Sequence, residues 1–140
     1  MDFEALKAAG WTAMDVDGFS GEVGPVWLQG KGAERVVGFL SGPRHTNGFL
    51  GTVHGGALMT FADIALGIGV AGALGGPYCA TAQLQLQFVA AAQIGDFITC
   101  KPELIRQTTQ LVFMRGLLCV GDKTVASADG LWKVMEHKRP

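Results

Sequence analysis

Charged side chains are scarce in this chain. Asp, Glu, Lys and Arg make up 16 % of its 140 residues and nearly cancel, leaving a net charge of −1. Such a balance gives no support for a nucleic-acid partner, which usually meets a basic patch. Cysteine is also sparse. Cys79, Cys100 and Cys119 are odd in number, far apart and in no CxxC pair, so a zinc site or redox motif is poorly supported. Buried, reduced thiols in a cytoplasmic protein are the simplest reading. The first residues, MDFEALKAAGW, lack a basic start followed by a long apolar core, and do not read as a signal peptide.

What the chain has in quantity is apolar content, at 49 % of residues. That suits one domain over residues 1–140 with a sizeable core and apolar surface left for contacts between subunits. No internal repeat or low-complexity tract interrupts it. Leu58 to Leu74 nears membrane-spanning length. Asp63 lies inside it, however, glycine and alanine are frequent, and no basic cluster flanks it. It reads as a buried helix of a soluble protein, with no membrane partner.

The segment that organises the chain is Asn47 to Gly67, NGFLGTVHGGALMTFADIALG. A loop with Gly48 and Gly51 leads to His54-Gly55-Gly56 and then into the apolar helix. A glycine pair at a helix start leaves backbone N–H groups free for an anion or a polarised carbonyl oxygen. Asp63, alone in apolar surroundings, is costly unless paired, hydrated or used. The two features suggest an oxyanion site and an acid/base group. At about 1.5 Å per residue, Gly55 and Asp63 lie roughly 12 Å apart along one helix. A reacting carbonyl needs contacts of about 3 Å, so both groups can serve one substrate only if a second copy supplies one of them. Antiparallel helices across a two-fold axis would do this.

Before this segment, Asp2 caps a short helix through Ala9, stopped at Gly10. Asp15 to Gly24 reads as loop, and Pro25–Gln29 and Glu34–Ser41 as a hairpin joined at Gly30-Lys31-Gly32. Gly75-Gly76-Pro77 ends the central helix. Four strands are expected after it. Thr81–Phe88 alternates with period two, Leu84, Leu86 and Phe88 on one face and Gln83, Gln85 and Gln87 on the other. Phe97–Gln107 contains Pro102, which bends it or marks a bulge. Leu111–Val120 is the most apolar. Gly121-Asp122-Lys123 turns into Thr124–Met135, and Glu136–Pro140 is a charged tail. A run of antiparallel strands needs one face covered, and a helix rich in Ala and Gly can cover it closely.

The pattern His45-x-Asn47, His54-Gly55-Gly56, Ala62-Asp63, with GPVWLQ upstream and TAQLQLQFVAAAQIGDF downstream, resembles the hotdog-fold acyl-CoA thioesterases of the PaaI-like group. The resemblance runs from about Gly24 to Met135. It implies an α+β fold: a six-stranded antiparallel sheet wrapped round one long helix, with a short N-terminal helix. It implies homodimers or dimers of dimers with active sites at the subunit interface, acyl-CoA as substrate, and no cofactor or metal, coenzyme A being part of the substrate. Matched residue by residue, Asp63 takes the place of the catalytic carboxylate, a general base on water or a nucleophile. Gly55 takes that of the backbone donor to the thioester carbonyl. Asn47 and His54 match loop residues that position substrate or water. Thr81 matches a Ser/Thr position facing the carboxylate. Gly56, Thr81, Arg106 and Arg115 are substrate-binding candidates, and Arg106, Arg115 and Lys123 could meet the phosphates of coenzyme A.

Each candidate also has a plainer reading. Asp63 can be a structural carboxylate, Gly55-Gly56 a tight helix start, and His54 a capping or packing histidine. Asn47 suits a turn and Thr81 a strand. Arg106, Arg115 and Lys123 suit solvated surface. A module that binds acyl-CoA without turnover, and an acyl-thioester hydratase or dehydratase, are the rival functions. Neither the acyl group nor the tetramer arrangement is legible.

Overall fold

One helix, α2 (Gly55–Leu74), runs through the centre of the fold. The computed structural model describes residues 1–136. Leu58, Phe61, Ala62, Ala65, Leu66 and Val70 are the helix's buried side chains; steps of three and four place them in one stripe. Gly69 permits close approach: a Cβ there would lie 2.6 Å from Cβ of Pro102 and 3.3 Å from Cε of Met114. Gly75, at φ +76°, stops the helix and returns its N–H to the Ala71 carbonyl, as a left-handed C-terminal glycine does. Length and apolarity alone would let α2 cross a membrane. Here its apolar stripe belongs to the same buried core as Val37, Phe39, Ile98, Val112, Met114, Leu118 and Trp132.

An antiparallel sheet supplies those partners. Its strands are β1 (Thr12–Met14), β2 (Val26–Gln29), β3 (Val36–Leu40), β4 (Cys79–Phe88), β5 (Phe97–Cys100), β6 (Glu103–Gln107), β7 (Leu111–Val120) and β8 (Lys123–Val134). Their order is β1-β2-β3-β5-β7-β8-β4, with β6 also on β7. A short helix, α1 (Phe3–Ala8), precedes them, capped by Asp2, whose Oδ1 accepts the Ala5 N–H at 2.9 Å. Leu6 of α1 is buried, and Phe3 meets Trp27 edge-on at 5.2 Å.

The sheet has eight strands where six were expected. Thr12–Met14 pairs with β2, register Ala13 to Trp27; three residues are too few for a periodic signal to emerge. The other extra strand comes from dividing Phe97–Gln107. Proline has no N–H to give a ladder, and the strand breaks at Lys101-Pro102. β5 continues along the Leu118–Cys119 end of β7, and β6 along Val112 to Arg115. Five strands rather than four therefore follow α2. Met135 and Glu136 lie beyond β8, and the rest of the charged tail lies outside the described residues.

β4 forms one edge of the sheet and, among the described residues, pairs with β8 alone. Its register slips between Thr81 and Gln83: Thr81 opposes Trp132, while Gln83 opposes Leu131. One extra residue, Ala82, changes which face the strand shows. Beyond the slip Leu84 and Leu86 pack on the core, as their alternation requires. Before it, Cys79 and Thr81 point the same way, although strict alternation from Leu84 would turn Thr81 outward. Gly130 sits against this bulge, where a Cβ would collide with the Gln83 carbonyl oxygen and crowd the Trp132 ring at 3.1 Å. Gly130→Ala should therefore overpack the site and destabilise by about 1–3 kcal/mol, read as a lower urea midpoint. An unchanged midpoint would show that the bulge does not need the glycine.

Candidate active site

The first turn of α2 leaves one amide without an acceptor among the described residues. A helix start normally exposes several such groups. Here His54, at the N-cap, gives its own N–H to the His45 carbonyl at 2.8 Å. Its Nδ1 accepts the Gly56 N–H at 2.8 Å. Its carbonyl accepts from Ala57 at 2.9 Å and Leu58 at 3.1 Å. The amide left is that of Gly55. The Phe88 ring covers Gly55 on one side, 3.4 Å from where a Cβ would stand. His54 is thus a capping histidine, and with Nδ1 as acceptor its neutral ring carries the proton on Nε2.

Asp63 lies two turns further along the same unbroken helix and is half-buried. Its Oδ1 accepts the Thr81 hydroxyl at 2.7 Å. The bulge at Ala82 is what turns Thr81 toward it. Cys79, two residues before Thr81, feels the same carboxylate: burial, and after it the Asp63 charge, raises its thiol above the ordinary value. At about 1.5 Å per residue the Gly55 amide and Asp63 remain roughly 12 Å apart along the axis. Both lie close to the edge strand β4, Gly55 against Phe88 and Asp63 against Thr81. A long exposed edge is a template for pairing with another chain.

A cavity of about 410 Å³ opens beside the helix start. His54, Gly56, Ala57 and Thr60 line it from α2, Thr46 and His45 from the loop, and Phe19, Val23 and the Glu22–Arg44 ion pair from the opposite wall. Thr60 returns its hydroxyl to the Gly56 carbonyl at 2.8 Å. Gly56, Thr60 and Asp63 are spaced by four and three residues, so they share a stripe of the helix. The loop before α2 is held at its base by Asn47 N–H to Thr52 O at 2.8 Å and Val53 N–H to Ala92 O at 2.8 Å. Its tip exposes Phe49 and Leu50 between Gly48 and Gly51, both at positive φ. Asn47 is half-buried, and its side chain makes no capping bond.

Residues 50–127 match the thioesterase superfamily profile. The chain belongs to the thioesterase superfamily. A Pseudomonas aeruginosa protein provisionally named an esterase is 34 % identical over 83 residues, 59 % of this chain and 62 % of that relative. The match thus spans less than two thirds of the relative's length. Zebrafish thioesterase superfamily member 2 superposes with a TM-score of 0.76 at 22 % identity, covering 86 % of this chain and 88 % of that one. The PaaI protein of the Escherichia coli phenylacetic acid degradation operon gives 0.66 at 18 % identity, covering 98 % and 88 %. At such identities the likeness concerns the fold alone, the hotdog fold.

The remaining candidates of this superfamily member lie elsewhere. Arg115 projects from the face of β7 turned away from α2 and pairs with Glu103 through Nε at 3.2 Å and Nη2 at 3.1 Å. That pairing raises the Arg115 pKa and lowers the Glu103 carboxyl. Both line a separate groove of about 660 Å³ with Lys101, Leu117 and Ser127. Arg106 is exposed on β6. Neither arginine lines the cavity at the helix start. Thr60 and the Glu22–Arg44 pair escaped the sequence reading. Helical spacing signals Thr60; nothing local joins Glu22 to Arg44. Among the described residues, no three His, Cys, Asp or Glu side chains gather as a metal site.

His45 holds the loop beneath the cavity. Buried against Phe39, edge-on at 5.0 Å, its Nδ1 accepts the Gly42 N–H at 2.9 Å and its Nε2 meets the Glu22 carbonyl at 3.2 Å. Burial pushes its pKa below the ordinary 6.5, outweighing the Glu22 carbonyl, which raises it. The unfolded chain then binds a proton that the folded chain resists, so this stability is complete above pH 6.5 and is lost as pH falls below it. Melting temperature should drop on acidification from about pH 7.5 to 5, and by less in His45→Gln. Equal drops in both proteins would remove His45 as the cause.

Proposed function

We propose that the protein hydrolyses an acyl-CoA thioester to a carboxylic acid and free coenzyme A, in a site shared between two copies of the chain. The observation that carries the reading is the one amide of the α2 first turn without an acceptor among the described residues, that of Gly55, on the same rigid helix as the Thr81-bonded Asp63. One is a donor suited to a developing oxyanion, and the other a carboxylate suited to activating water. Two copies joined along the β4 edge, helices antiparallel, would set Asp63 of each toward Gly55 of the other.

The chemistry needs little else. The thioester carbonyl oxygen accepts the Gly55 N–H, reinforced by the helix dipole. Asp63 takes a proton from water as the water oxygen bonds to the carbonyl carbon. Alternatively, the carboxylate attacks directly and the mixed anhydride is then hydrolysed. The C–S bond breaks, and the thiolate leaves and takes up a proton. Thr81, donating to Oδ1, orients the carboxylate and leaves Oδ2 for water. Asn47 and the His54 Nε2–H would steer the substrate from the loop side. The cavity beside Gly56 is the space for the substrate. Some structural relatives are named for phenylacetic acid degradation, which puts arylacetyl thioesters first on a substrate panel.

Thiol release should appear with at least one acyl-CoA, and Asp63→Asn should abolish most of it while the oligomer persists by light scattering. Gly55→Pro removes the amide at a helix position where proline is tolerated. It should lower kcat by about 10²–10³-fold with helical content kept. Wild-type rates in Asp63→Asn would end this reading. Binding without thiol release would favour a carrier.

A further inference from the structure

The two glycines after His54 do different work. Neither has positive φ, so the backbone demands glycine at neither position, and alanine is the better helix residue. A Cβ on Gly55 would rest in ordinary contact with the Phe88 ring at 3.4 Å. A Cβ on Gly56 would lie 2.9 Å from Nδ1 and 3.1 Å from Cε1 of the His54 ring, where that ring accepts the Gly56 N–H at 2.8 Å. An alanine there and the capping imidazole cannot share the space. His54 is an exposed side chain, so the ring would give way rather than the fold.

We propose that Gly56 is a positioning residue that acts through His54. Lacking a Cβ, it lets the imidazole fold back over the first turn of α2 and cap it. The cap does two things for the site. It occupies the second amide of the helix, leaving Gly55 as the donor presented and holding that turn still. It also fixes the neutral ring as the Nε2–H tautomer, with Nδ1 turned inward and the donor turned toward the cavity that His54 and Gly56 both line. Gly56 then touches no reacting atom; its contribution is the seat it leaves for the ring. Its rival role is steric, since a Cβ in the cavity could obstruct the acyl-CoA directly.

The kinetic part rests on the hydrolase reading above. Gly56→Ala, His54→Ala and the double variant separate the two roles of Gly56, assayed by thiol release from hexanoyl-CoA and phenylacetyl-CoA alongside nitrogen NMR of the imidazole. In Gly56→Ala the Nδ1 resonance should lose its hydrogen-bonded shift. kcat should fall by about tenfold to a hundredfold with a smaller change in KM, and the circular dichroism spectrum should stay native. In the His54→Ala background the same substitution should cost less than about twofold, the non-additivity of residues that act as a unit. An equal factor in both backgrounds would make the effect steric and overturn the proposal. An unshifted Nδ1 resonance in Gly56→Ala would overturn it without any turnover being measured. Failure of Asp63→Asn to reduce thiol release would instead strike the hydrolase reading, leaving the imidazole result to stand on its own.

Discussion

A rigid rod sets the terms for this molecule. α2 runs unbroken from Gly55 to Leu74, and an α-helix cannot shorten to bring its first amide to a carboxylate eight residues on. The same helix fills the sheet with Phe61, Ala62, Ala65 and Leu66, all fully buried. Its small residues let Pro102 and Met114 close over it at Gly69. Folding and site geometry thus rest on one element. The packing that holds α2 straight also holds Gly55 and Asp63 apart, and a hydrolytic site that uses both must be completed from outside the chain.

β4 is the strand that meets the helix at both groups. A single extra residue at Ala82 turns the exposed Thr81 onto Asp63 and still seats Leu84 and Leu86 on the core. Gly130 on β8 makes room for the bulge. Further along the strand Phe88 covers Gly55. One edge strand therefore touches both chemical groups of the helix, at points seven residues apart, with its outer side unpaired among the described residues. The electrostatics are simple because charge is scarce. Solvated pairs such as Arg115–Glu103 and Arg44–Glu22 contribute little to stability. The buried imidazole of His45 instead ties the loop before α2 to the Glu22 carbonyl.

Much of this was legible in the residues. The helix and its ends showed in the apolar run and in Gly75-Gly76, the β4 face in its alternation, and β7 in its apolar density. The HGG and AD spacing pointed to the family. What stayed hidden has physical causes. A three-residue strand carries no period, so β1 was missed. Proline announced a disturbance in Phe97–Gln107 without saying that it would divide the strand. The bulge at Ala82 depends on Gly130, a residue of another strand, and period-two counting alone would have turned Thr81 the wrong way. The Glu22–Arg44 wall of the cavity forms only when two loops meet. His54 had two readings in the sequence, and its bond to Gly56 shows it as a cap.

The central claim, a site divided between two chains, is tested most directly by mixing two inactive proteins. Asp63→Asn keeps an intact Gly55, and Gly55→Pro keeps an intact Asp63. Unfolded together and refolded at equal concentration, they should form hybrid dimers holding one sound site and one doubly damaged site. With random pairing, thiol release should recover to about one quarter of the wild-type rate per chain, as half the dimers are hybrids with one working site of two. A mixture that forms hybrids yet stays as inactive as its parents would mean that each chain builds its site alone, and would contradict the account.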